Sequence, residues 1–110
     1  MNLEINHIAK DGEDYLLLNG EIDIYTSDKL KYSLLPLTEK KGNKVTVDFS
    51  NVNYIDSTGL GIFIGALKAT HKYESSIKLV GMIERVRRLF NITGLDEVIN
   101  IEESAREEAK

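Results

Sequence analysis

The sequence has no cysteine and no tryptophan, and a single proline among its 110 residues. Without a thiol there is no disulfide, no thiolate metal site and no cysteine nucleophile. No apolar run approaches the ~20 residues that cross a bilayer, and no signal peptide precedes the first strand-like segment, so a cytoplasmic protein with no membrane partner is expected. Positive charge is not in excess either: 14 Lys and Arg stand against 18 Asp and Glu, a net charge of −4. That balance argues against a broad phosphate-backbone footprint, and no nucleic-acid partner is expected. What is present, 42% hydrophobic and 29% charged residues, is the composition of an ordinary folded domain. The length is that of one domain, 1–110, whose last residues 102–110 read as a charged tail.

Hydrophobic alternation in residues 3–7 and 15–18, joined through Asp11-Gly12, predicts an opening antiparallel hairpin over 3–19. Thr26, Ser27 and Asp28 are helix starters, and Leu30, Leu34 and Leu37 fall on one helical face. Pro36 lies inside that pattern, where a kink is expected. Residues 44–50 alternate most cleanly and predict a strand. An apolar helix is expected over 59–73, a strand over 77–80, and a short amphipathic helix over 84–90 that Gly94 stops. Residues 98–101 predict an edge strand. Strand–helix–strand repeats imply parallel pairing, so the class is α/β, with a mixed four- to five-stranded sheet after the hairpin.

The run Asp56-Ser57-Thr58-Gly59-Leu60-Gly61 falls at a strand-to-helix junction, where backbone N–H groups are unsatisfied and partial positive charge collects. Ser or Asp there serves first as a cap. Gly59, Gly61 and Gly65 are one residue too widely spaced for a dinucleotide fingerprint, and no P-loop lysine follows. Close packing against the sheet is the expectation for Gly61 and Gly65. Ser57 as a nucleophile needs a base. His71 lies ~21 Å along the same helix and nothing local brings His7 near, so a hydrolase is not expected. A hydroxyl exposed at a helix start is open instead to phosphorylation, which adds about −1.5 to −2 charges beside Asp56. The domain tolerates that charge at a helix end, whereas a partner packed over Ser57 does not. Glu21 and Asp23 can hold Mg²⁺, or simply favour a helix start; with Asp56 they form an acidic rim if they converge. No metal and no cofactor is expected. Arg85, Arg87 and Arg88 read as a solvated helix face.

Three segments taken together, Gly20-Glu21-Ile22-Asp23, Asp56-Ser57-Thr58-Gly59-Leu60-Gly61 and Arg88-Leu89-Phe90-Asn91-Ile92-Thr93-Gly94-Leu95, resemble the STAS domain over nearly the whole chain. Within it, the resemblance is to single-domain bacterial anti-anti-sigma factors of the general-stress type. It implies a mixed sheet flanked by helices and a protein that is not an enzyme. The partner it implies is an anti-sigma factor that is also a serine kinase of the histidine-kinase-like ATPase fold. The unphosphorylated antagonist binds that kinase and frees a sigma factor. Phosphorylation on the residue matching Ser57, with Thr58 the adjacent rival, ends binding, and a PP2C-type serine phosphatase reverses it. Glu21, Asp23 and Tyr25, with Asp56, Thr58, Gly59, Leu60 and Gly61, match the partner surface. A scaffold subunit of a stress-sensing complex and a small nucleotide-binding protein are the alternatives.

Overall fold

Strands β1 (Leu3–Lys10) and β2 (Glu13–Ile22) form the expected hairpin in a computed structural model that describes residues 2–103. Asp11 and Gly12 both sit at positive φ, 55° and 77°, as a two-residue turn matched to strand twist requires. Helix α1 (Ser27–Thr38), strand β3 (Lys44–Ile55), helix α2 (Ser57–Tyr73), strand β4 (Ser76–Val80), helix α3 (Glu84–Ile92) and strand β5 (Asn100–Glu102) follow. The five strands lie in sequence order in one sheet, antiparallel between β1 and β2 and parallel from β2 to β5. Crossovers of one hand, the rule for parallel strands, marching in one direction across the sheet deliver every helix to the same face. Leu16, Leu18, Val45, Val47, Phe49, Ile77 and Leu79 point to that face and are buried. At its centre, the rings of Phe49, Phe63 and Phe90 meet pairwise at centroid distances of 5.3, 6.0 and 6.1 Å.

Several boundaries differ from the sequence reading, each for a local reason. Strand β3 does not stop at residue 50 but runs to Ile55. Its register against β2 slips twice, between Leu17 and Asn19 and between Gly20 and Glu21, so β3 carries an extra residue at each slip. At the first, the Asp48 Oδ1 accepts from the Ser50 N–H at 2.8 Å. Such bulges bend and twist a strand, here the part that extends beyond β4 towards α2. Helix α2 begins at Ser57, two residues early, because Asp56 caps it. Helix α1 passes through Pro36 to Thr38; Pro36 is exposed, so the carbonyl that loses its partner is left near solvent. Strand β5 starts at Asn100 because the Val98 and Ile99 N–H groups close a short 3₁₀ turn onto the Leu95 carbonyl. Glu102 of the predicted tail belongs to β5, and residues 104–110 lie outside the described residues. Gly61 and Gly65 are not close-packed: a Cβ on either would meet nothing within 4 Å.

At the end of the sheet opposite the strand-to-helix junctions, the buried Asp14 carboxylate accepts from His7 Nε2 at 2.6 Å and Asn43 Nδ2 at 2.8 Å, with Lys40 Nζ at 3.3 Å. Burial pushes this carboxyl up, but the donors from Asn43, His7 and Lys40 outweigh it and hold it below the usual aspartate range. A depressed folded value makes the group stabilising above its unfolded pKa of about 3.9, and that stabilisation is lost as pH falls through the folded value. Asp14→Asn is therefore expected to lower the urea midpoint at neutral pH, with the gap to wild type closing below about pH 4. A gap that stays constant across that range would remove Asp14 from the acid response.

Candidate functional site

The site lies where β2 and β3 end and hand the chain to α1 and α2. Glu21 pairs with Tyr54 and Ile22 with Ile55, and the Asp56 N–H donates to the Ile22 carbonyl at 3.2 Å, so the two strand ends are tied directly. Asp56 is the N-cap of α2: its Oδ1 accepts from the Thr58 N–H at 3.0 Å and the Gly59 N–H at 3.4 Å. Ser57 follows as the first helical residue, exposed, with Thr58 exposed beside it.

Gly59 and Leu60 turn inward. A Cβ on Gly59 would stand 2.6 Å from Ile22 Cγ2 and 2.8 Å from Ile55 Cγ1, so this glycine is what lets α2 approach the strand ends. Leu60 belongs to the core. Both hold Ser57 in position from behind, while Gly61 is exposed.

Asp23 begins the turn into α1 and is only 5% exposed. Its Oδ1 accepts from the Tyr25 N–H at 2.8 Å and the Thr26 N–H at 3.1 Å, with Thr26 Oγ1 3.3 Å away. Thr26 Oγ1 in turn accepts from the Asp23 N–H at 2.9 Å and donates to the Glu21 carbonyl at 2.8 Å. This is an Asx-type turn in which the carboxylate serves the backbone. Its product is the outward display of Ile24 and Tyr25, 67% and 82% exposed. Asp23→Ala is expected to cost about 1–2 kcal/mol, as for loss of a helix cap, and to lower the melting temperature by about 4–8 °C for a domain of this size. Asp23→Asn, which keeps an acceptor oxygen, should recover most of that loss in a thermal melt.

Together these elements enclose an open cleft of ≈ 590 Å³. Glu21, Asp23, Tyr25 and Asp56 line it, so the acidic rim does converge. No group of three or more His, Cys, Asp or Glu side chains among the described residues is arranged to hold a metal ion. Ile24, Asn53 and Tyr54, which the sequence does not single out, complete the lining with Arg85, read from sequence as part of a solvated helix face. Arg85 is not just a solvated cation: its Nη2 donates to the Asn53 carbonyl at 3.2 Å, tying α3 to the bulged end of β3. The bulges bring Asn53 and Tyr54 there, and no residue pattern announces them. Neither histidine reaches Ser57 as a base, since His7 is held on Asp14 and His71 lies in the last turn of α2.

An exposed serine at a capped helix start and a mixed acidic and apolar cleft thus lie at the same end of a two-layer domain. The STAS domain family model matches residues 9–108, and the chain belongs to that family. Its relatives include the anti-sigma-B factor antagonist of Staphylococcus epidermidis, 39% identical over 108 residues that make up 98% of this chain and 100% of the relative. The protein of the same name from Staphylococcus aureus (strain NCTC 8325) is 36% identical over the same shares. The fold is shared with the crystal structure of an anti-sigma factor antagonist from Mycobacterium paratuberculosis, at TM-score 0.84 and 21% identity over 96% of this chain and 90% of that one. It is shared also with the phosphorylated form of the Bacillus cell fate determinant SpoIIAA, at TM-score 0.71 and 16% identity over 98% and 96%. No helix among the described residues is long and apolar enough to cross a membrane.

Proposed function

We propose that this chain is an anti-sigma factor antagonist whose binding is switched by phosphate on Ser57. In the unphosphorylated state it binds an anti-sigma factor that is also a serine kinase of the histidine-kinase-like ATPase fold, and a sigma factor is freed. The kinase phosphorylates Ser57 and the complex dissociates; a PP2C-type serine phosphatase resets the antagonist. The chain itself performs no catalysis and acts in the cytoplasm. The observation that carries this reading is the exposed Ser57, the first residue of α2 and the chain neighbour of Asp56, which lines the cleft with Glu21 and Tyr25. The name borne by relatives matched over their full length supports the same reading.

Physically, the unmodified surface offers a partner the apolar Ile24, Tyr25 and Tyr54 side chains together with a hydroxyl of small footprint. A phosphate there places about −1.5 to −2 charges next to Asp56. In solvent the helix N-terminus offsets part of that charge. Under a packed partner it is desolvated without a counter-ion. The test is to incubate the purified chain with such a kinase and ATP and to read the intact mass and phosphopeptides. A single phosphate on Ser57, absent from Ser57→Ala, is expected. Phosphate on Thr58 alone, or none at all, would overturn the assignment.

A further inference from the structure

The two edges of the sheet are unequal. Strand β5 is three residues long, short enough to protect itself from further pairing. Strand β1 is eight residues long and has neither proline nor register slip against β2. The Asn2 carbonyl accepts from the Glu21 N–H at 2.8 Å, which sets the parity of the strand. Main-chain groups of the even residues Glu4, Asn6, Ile8 and Lys10 point to β2, and those of Leu3, Ile5, His7 and Ala9 point away from it. Among the described residues, only the Leu3 carbonyl is covered by a side chain, that of Lys29, whose Nζ donates to it at 2.6 Å. His7, Ile8 and Ala9 are exposed. A long, regular, uncovered edge is a template for another strand.

We infer that β1 pairs antiparallel with β1 of a second copy of this chain, about a twofold axis through His7, to make one continuous sheet. The side chains select both the occupant and the register. With His7 opposite its symmetry mate, Ile5 and Ala9 exchange main-chain hydrogen bonds, and Glu4 of each copy faces Lys10 of the other. Opposite charges therefore meet at both ends, on the face away from the helices. Moving the axis to Asn6 keeps the faces matched but sets Glu4 against Ile8. That register also asks the Leu3 carbonyl to accept from Ala9, where Lys29 already donates. Lys29 thus excludes the neighbouring register and ends the pairing after Ile5. A strand-to-strand contact alone stays below the ~1,200 Å² of a standard stable interface, so the dimer is weak and forms at high concentration. The pairing does not depend on the role of Ser57.

Sedimentation velocity across a concentration series, with amide exchange at the highest and lowest concentrations, tests this. The average mass is expected to rise from 12.4 kDa towards twice that value as concentration increases. Over the same series, exchange at Ile5, His7 and Ala9 should slow, while the amides of the even residues, already bonded to β2, change little. Lys10→Glu should hold the mass at the monomer value, and the double variant Glu4→Lys, Lys10→Glu should restore association. A wild-type mass that stays monomeric throughout overturns the proposal and leaves the edge to a foreign strand. So does a dimer that forms without slowing the odd amides, or one that Lys10→Glu leaves intact.

Discussion

Ser57→Asp is expected to fold like the wild type and to bind the anti-sigma factor about 100-fold more weakly, a loss near 3 kcal/mol. Two opposed effects meet at this position. A carboxylate on the first residue of a helix is welcomed by the unsatisfied N–H groups around it, and Asp56 already uses one of its oxygens on two of them. The free domain therefore gains a little from the dipole and loses a little to the neighbouring charge, and its melting temperature should hardly move. In the proposed complex the same charge would be stripped of water, which costs far more. Isothermal titration against the purified anti-sigma factor decides the matter, with Ser57→Ala as the uncharged control. Equal affinity for wild type and Ser57→Asp would show that charge is not what ends binding.

Phe49→Ala should destabilise the fold by about 3–5 kcal/mol, the range for emptying a large aromatic site in a core. Phe49 has no exposed surface and touches both Phe63 and Phe90, so one truncation removes the contact that joins β3 to α2 and α3. Edge-to-face ring pairs add about 0.5–1.5 kcal/mol each beyond area burial. Against a total stability of about 5–15 kcal/mol, the variant is left marginal. Urea unfolding measures this directly, and a cost below about 1 kcal/mol would mean that the neighbouring rings close the gap.

The elements and their order were legible because hydrophobic period speaks plainly in this chain. Val45, Val47 and Phe49 alternate as a strand, and Leu30, Leu34 and Leu37 recur as a helix face. The Asp11-Gly12 turn could be read from residue type alone. What escaped depends on geometry between strands. Nothing in residues 48–55 signals two extra residues relative to β2, because a bulge is a relation between two strands and not a pattern in one. Hence Asn53 and Tyr54 carry no sequence signal, and Arg85 reads as a solvated cation because its partner is a main-chain carbonyl on that bulged segment. The glycines taught the opposite lesson. Gly61 and Gly65 looked like packing residues from their spacing, whereas the close approach occurs at Gly59, which only the positions of Ile22 and Ile55 reveal. Asp23 reads from sequence as part of an acidic rim and of the partner surface, yet its carboxylate is taken up by the turn it builds.

That turn separates two kinds of selection. Asp23 and Thr26 fix the backbone of the loop from inside, so the side chains it displays, Ile24 and Tyr25, add little to the stability of the domain. Tyr54, half-exposed on the neighbouring strand end, is similarly free. Substitutions at these three positions alter the shape offered to a partner and leave the core untouched. A duplicated copy of this chain can therefore drift to a new partner without first passing through an unstable intermediate. Two such copies in one cell can keep the same fold and the same serine at the start of α2, and still run circuits that do not cross.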